Sequence, residues 1–339
     1  MRSSSYLITI IVALVVFICA NIFFEKTRFG HSGANHETSE MKRYLDEIKT
    51  LGPEFVLIGN SMLGEGIDPN IIAKKTGMKV MKIARGGSAS AWWFLTFKNV
   101  VVEAEKVPRT VVFFFRDSFL TLPKYRTGGK YLQSILEMSG KSEPIVDKLV
   151  FGSSLKGNLF RNIPLLARRF VIQEKVDDLL KNVLLARGFG LTPGEVDKSI
   201  GREFKESKMN KDLLNKTQLE MEKVDTKTLL DFEDQLEMSF LPSIIDLAAQ
   251  NDIQLVFVRV KRRKNLHASD DQDKFADYIQ NLKIYLNEKG CILLDYTGDP
   301  GIMESHFGVG DHLNRTSGRE LFSSLVGKDL DAIITQYSR

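Results

Sequence analysis

The stretch "FVLIGNSMLGEGIDP", Phe55–Pro69, decides how this chain folds. Four apolar residues run straight into Gly59-Asn60-Ser61, then come two more glycines and a proline. An apolar run of this length, closed by turn residues, reads as a strand buried on both faces. Such strands belong to parallel sheets covered by helices. The strand delivers a polar loop with one serine among glycines. That loop is a plain turn, a phosphate cradle or a mount for a nucleophile. A phosphate loop of the Walker type needs Gly-Lys-Ser/Thr after its glycine turn. "GNSMLGEG" has no lysine and carries Glu65. A dinucleotide fingerprint needs Gly-x-Gly-x-x-Gly, and "GGSAS" (Gly86–Ser90) does not complete it.

Outward from this strand the pattern alternates. "DPNIIAKKTG" is a short helix with Asp68 and Pro69 at its start, and "KVMKIA" a strand. Ser88–Glu105 has helical apolar spacing, and "TVVFFFRDS" is a second strand buried on both faces. From Pro123 to roughly Lys227 the rhythm breaks into apolar helical segments, read as a helical insertion. Then come a helix through "FLPSIIDLAAQND", the strand "IQLVFVRV", the helix "DKFADYIQNLKIYLNEKG", the strand "CILLDY" and a last helix from near Thr316. This order predicts an α/β fold: a three-layer, flavodoxin-like parallel sheet with helices on both faces. The expected organisation is 1–28 as anchor, 29–52 as tether and leading helix, and 53–339 as the α/β domain with its insertion at about 124–227. No internal repeat is found.

Composition narrows the function. Of 339 residues, 47 are basic and 43 acidic, so the formal net charge is only +4. That gives nucleic-acid binding little support. Cys19 and Cys291 lie in unrelated contexts and report no redox compartment. Tyr6–Phe24, "YLITIIVALVVFICANIFF", carries no charge. At ~1.5 Å per residue a helix of this length just spans a bilayer core. Read as an uncleaved signal anchor, it makes the chain a single-pass membrane protein with its main domain outside the cytoplasm. A cleaved signal peptide ending near Ala20 is the rival, and both export the rest. Phe29–Glu40 is polar and reads as a tether, followed by a helix from Ser39 to Gly52-Pro53. His31 and His36 within it lack the rigid frame of a metal site, and neither metal nor cofactor is expected. The run Lys261-Arg262-Arg263-Lys264 reads as a solvated loop, or as a contact for an acidic ligand at a strand's C-terminal end.

A serine hydroxyl is a weak nucleophile alone. It needs an imidazole to take its proton and a group to orient that imidazole. Of five histidines, His312 in "GVGDHLNRTSGRELF" is best placed, after the last strand and just before a helix. Asp311 precedes it directly.

These residues carry a resemblance. "LIGNSMLGEGIDP", "KIARGGSAS", "VVFFFRDSFLT" and "GDHLN…SG" resemble, in order, the four motif blocks of the SGNH (GDSL-like) hydrolase superfamily. The spacing and the helical insertion resemble its membrane-anchored, exported branch, which includes proteins of alginate O-acetylation and teichoic acid D-alanylation. The resemblance covers roughly 53–123 and 240–331 and leaves the insertion out. It implies Ser61 as nucleophile and oxyanion donor through its own N–H. Gly86 or Gly87 would be a second donor and His312 the base. Two positions depart. Arg116 stands where the family has an asparagine donor, and Val309 stands where it has its acid, leaving Asp311 as the nearest carboxylate. Arg116 is either a charged oxyanion donor or an ion-pair partner of Asp117. Trp92 and Trp93 are core residues or stacking platforms for a sugar; Asn60 and Asp68 read as turn and cap residues. The resemblance implies O-acyl transfer or esterase chemistry, with acetyl the expected acyl group. The expected partners are an acylated cell-surface polymer and a membrane-bound O-acyltransferase. The other class is a silent SGNH-like module that binds glycan or docks a partner.

Overall fold

The computed structural model describes residues 28–128, 130–139, 143–152, 231–263 and 272–337, together with Val15 and Cys19. All of Tyr6–Phe24 except those two residues lies outside it, as does 153–230 of the expected insertion. Among the described residues no helix is long and apolar enough to cross a membrane.

Helix α1 (Arg28–Leu51) is followed by strand β1 (Phe55–Gly59), helices α2 (Ser61–Gly66) and α3 (Pro69–Thr76), and strand β2 (Val80–Ala84). Helix α4 (Ser90–Thr96) continues into a π turn over Phe97–Val102, ahead of strand β3 (Thr110–Phe115). Helices α5 (Lys130–Ser139) and α6 (Pro144–Val146) come next, then α7 (Phe232–Glu237) and α8 (Leu241–Gln250). Strand β4 (Gln254–Arg259), helix α9 (Gln272–Glu288), strand β5 (Ile292–Asp295) and helix α10 (Ser317–Tyr337) complete the order. Contacts divide the chain into two compact units, Met1–Glu40 with Thr127–Glu203, and Met41–Arg126 with Phe204–Arg339. The second unit carries the sheet.

That sheet is five-stranded and parallel throughout, in the order β2-β1-β3-β4-β5. Chain order reverses at β1, and open α/β sheets take ligands at the carboxyl ends beside such a reversal. Every residue of β1 and β3 is buried, as their unbroken apolar runs require. Side chains alternate between faces. Phe55, Leu57, Val112, Phe114, Val256 and Val258 pack into one cluster with Ile72, Phe322, Val326 and Leu330 of α3 and α10. The intervening Phe113 stacks on Phe257 of the neighbouring strand and meets Phe97 edge-on. Helix α4 and its π turn therefore cover that opposite face.

Two local elements differ from the sequence reading. Residues 29–40, read as a tether, are helical and continuous with the leading helix. The stretch holds no proline, and extending an existing helix costs far less than nucleating one. The loop after β1 is a short helix. Asp68 and Pro69 open α3 as expected, with the Asp68 carboxylate accepting from Asn70 N–H at 2.9 Å.

Candidate active site

The C-terminal rim of the sheet assembles the site from the connections after all five strands. At the end of β1, a Cβ on Gly59 would lie 2.9 Å from Leu63 Cβ and 3.0 Å from Phe114 Cβ, so only glycine fits. Asn60 is extended and caps α2, its Oδ1 accepting from Met62 N–H at 2.9 Å. Ser61 is therefore the first helical residue, half-buried, with its N–H at the open end of the helix where backbone donors are unsatisfied.

A six-residue helix with two internal glycines is not stable alone. Its far end is held from outside. Lys82 Nζ on β2 donates to Ile67 O at 2.7 Å and Gly64 O at 3.2 Å. Arg319 Nε on α10 donates to Glu65 O at 2.7 Å. Burial lowers the Lys82 pKa from its ordinary value. The Glu65 carboxyl is held below its ordinary range, chiefly by its hydrogen bond from Arg315.

His312 lies in a tight loop closed by a bridge between Phe307 and Leu313. Gly308 N–H donates to His312 O at 2.7 Å and Asn314 N–H to His306 O at 2.9 Å. Gly310 turns the loop at φ 67°. The loop brings His312 Nε2 to 2.9 Å from Ser61 Oγ, across 251 positions of sequence. With Nε2 unprotonated, the serine hydroxyl donates to it.

The loop after β2 is pinned to the same place. Arg85 N–H and Ser88 Oγ both donate to Gly59 O, at 3.2 and 3.1 Å. Trp93 Nε1 in turn donates to Ser88 Oγ at 2.9 Å. Between them Gly87 is buried in a left-handed turn at φ 75°, while Gly86 is exposed. Trp93 is 0% and Trp92 4% exposed, so neither presents a ring to a sugar. Both are core residues rather than stacking platforms, and Trp93 braces the glycine loop.

Arg116 and Asp311 are brought together rather than kept apart. Arg116 Nη1 donates to Asp311 Oδ2 at 2.7 Å, and Asp311 Oδ1 accepts from Arg263 N–H at 2.5 Å. Arg116 Nε also lies 3.4 Å from Asp117 Oδ2. Arg262 Nε donates to both Asp117 oxygens, at 2.6 and 2.8 Å. All four side chains are buried. Two guanidinium groups and two carboxylates thus neutralise one another, as burial demands. The basic run is neither a solvated loop nor a ligand patch over its described residues. Arg262 and Arg263 strap the β3 end to the His312 loop, and Lys261 Nζ reaches Asp299 O. Lys264 lies outside the described residues.

Sequence reasoning missed Lys82 and Arg319 and misread Arg262. Nothing distinguishes Arg262 from a surface charge until its partner Asp117 is located. Among the described residues no cluster of ligating side chains forms a metal site. His306 Nδ1 accepts from Met303 N–H at 3.0 Å.

No protein-family model matches the chain, and no curated protein does. Among solved structures, a candidate acylhydrolase from Bacteroides fragilis is 11% identical, covering 82% of this chain and 86% of its own, with a TM-score of 0.39. A GDSL-like lipase from Bacteroides thetaiotaomicron is 12% identical, with coverage of 87% and 98% and a TM-score of 0.38. A candidate lipolytic protein of the G-D-S-L family from Desulfitobacterium hafniense is 10% identical, with coverage of 81% and 97% and a TM-score of 0.38. Overlaps this loose assign neither family nor activity.

Proposed function

We propose that this chain is a serine-dependent acyl-ester enzyme of the SGNH (GDSL-like) kind, in which Ser61 is the nucleophile and His312 its base. The observation that carries the reading is the 2.9 Å approach of His312 Nε2 to Ser61 Oγ at the ligand-binding rim of a parallel sheet. In this reading Ser61 Oγ bonds to the acyl carbon as its proton passes to Nε2. The developing oxyanion accepts from the N–H groups of Ser61 and Gly87, while the charge of Arg116 is taken up by Asp311 and Asp117. Collapse expels the alcohol, which takes the proton from His312 and leaves an acyl-Ser61. Water or an acceptor hydroxyl then repeats the sequence in reverse. Asp311, committed to Arg116 and Arg263, shapes the His312 loop. The apolar stretch Tyr6–Phe24 and the four motif blocks further support an exported, membrane-anchored enzyme. Its substrates in this reading are acyl esters, acetyl first, of a cell-surface polysaccharide or polymer. A membrane-bound O-acyltransferase is the partner of that reading.

A second reading is favoured by the Arg116–Asp311 pair, which engages a candidate oxyanion donor with a candidate acid. It is a silent module of the same kind that binds glycan or docks a partner. One experiment separates them. The full chain in detergent is offered p-nitrophenyl acetate and a fluorophosphonate probe, and modified peptides are mapped. The enzyme reading expects turnover, and labelling at Ser61 that Ser61→Ala abolishes. A wild-type protein that neither turns over nor labels leaves the silent module standing.

A further inference from the structure

Arg319 stands where helix physics disfavours it. It occupies the first turn of α10, whose N-terminus carries partial positive charge and prefers anions. The residue instead reaches across to α2, which has no basic residue in its own last turn. Its Nε donates to Glu65 O at 2.7 Å, and its Nη2 lies 3.9 Å from the Glu65 carboxylate. Around it the two elements are locked together. Arg315 Nη2 donates to Glu65 Oε1 at 2.7 Å, and Asp68 N–H donates to Ser323 Oγ at 2.8 Å. A Cβ on Gly66 would lie only 3.3 Å from Leu313 Cδ1, so α2 lies directly against the residue after His312. Helix α2 begins at Ser61; the chain entering α10 carries His312. A local rule broken without a local gain points to function.

We propose that Arg319 is a positioning residue. It holds the end of the nucleophile helix against the start of α10, and so fixes the separation of Ser61 Oγ and His312 Nε2. The proposal rests on the Ser–His reading above. The brace gives the pair a single geometry. Its loss slows chemistry rather than binding, because its bonds run to the end of α2. Misplacement of reacting groups by about 1 Å costs up to roughly a hundredfold in rate.

The test uses the full chain in detergent with p-nitrophenyl acetate and the fluorophosphonate probe. Arg319→Ala is compared with Arg319→Lys and with Lys49→Ala, which removes a cation from an exposed pair. The expected result is a fall in kcat and in the Ser61 labelling rate of roughly ten- to a hundredfold. KM should stay within about twofold, Arg319→Lys should recover part of the loss, and Lys49→Ala should be unchanged. Urea unfolding of each variant confirms that folded protein is being assayed. If folded Arg319→Ala labels Ser61 at the wild-type rate, or loses affinity with kcat intact, the positioning role is overturned while the Ser–His reading survives. Should wild-type Ser61 fail to label at all, that reading falls and the proposal falls with it.

Discussion

Gly59→Ala gives the sharpest stereochemical prediction. The added methyl lies 2.9 Å from Leu63 Cβ, 3.0 Å from Phe114 Cβ and 3.2 Å from Leu63 Cδ2. Carbon atoms rest at about 3.5–4.0 Å, so the overlap is about 0.5–1 Å. Phe114 cannot yield, because it pairs with Gly59 in register across the sheet and meets Phe322 edge-on. The strain therefore moves α2, and Ser61 with it. A displacement of that size stretches the 2.9 Å Ser61–His312 contact to or beyond the limit of a hydrogen bond. The methyl's burial contributes at most about 0.8 kcal/mol, against an overpacking cost of about 1–3 kcal/mol. The net expectation is about 0.2–2 kcal/mol lost in urea unfolding and a fluorophosphonate labelling rate down roughly tenfold or more. Gly64→Ala is the control, since its Cβ would meet Ala84 Cβ at an ordinary 3.7 Å. Wild-type unfolding midpoint and labelling rate in Gly59→Ala would refute the reasoning.

Further expectations follow from the same contacts. Asn60→Ala removes the cap on α2 and should cost about 1 kcal/mol in urea unfolding, with slower labelling of Ser61. Burial pushes the Cys291 thiol up to about 11. At pH 8 roughly 0.1% is thiolate, so mass spectrometry after iodoacetamide should find Cys291 of the folded chain essentially unmodified until urea is added. The depressed Glu65 carboxyl contributes stability that is present above its unfolded pKa and lost as pH falls through the folded one. Glu65→Gln should thus lower stability by under about 1 kcal/mol at pH 7, the pair being partly exposed, and by nothing below the folded pKa. Unfolding curves at the two pH values check this.

The sheet was legible because β1 and β3 are unbroken apolar runs and because strands and helices alternate around them. Parallel order and the placement of Ser61 and His312 at one rim follow from that alternation. Helix α2 was not legible, since "SMLGEG" has two glycines and a length at which propensity decides nothing. It exists because Asn60, Lys82 and Arg319 satisfy its two ends, and two of those lie far off in sequence. The basic run misled for a related reason. Arg262 reads as a solvated charge until Asp117, itself at φ 54°, is found turned toward it. The tryptophans beside the glycine loop invited a ligand role that burial removes. Arg116 kept two readings because its partner Asp311 is nearly two hundred positions away.

The spacing of β3 and β4 also has a consequence in time. The sheet's central pairing, Thr110–Phe115 on Gln254–Arg259, must wait for everything between those strands to be made. At about 5–20 residues per second, the open edge of β3, with Phe113 and Phe115 on it, waits on the order of ten seconds for its neighbour. The nascent chain then presents an apolar parallel edge of the kind that chaperones cover and aggregates recruit. Ser61 is among the first parts of the domain to emerge, and His312 among the last. Until the final helix docks, Ser61 lacks His312 beside it, so under the proposed Ser–His reading the chain cannot react with an ester while it is still being made.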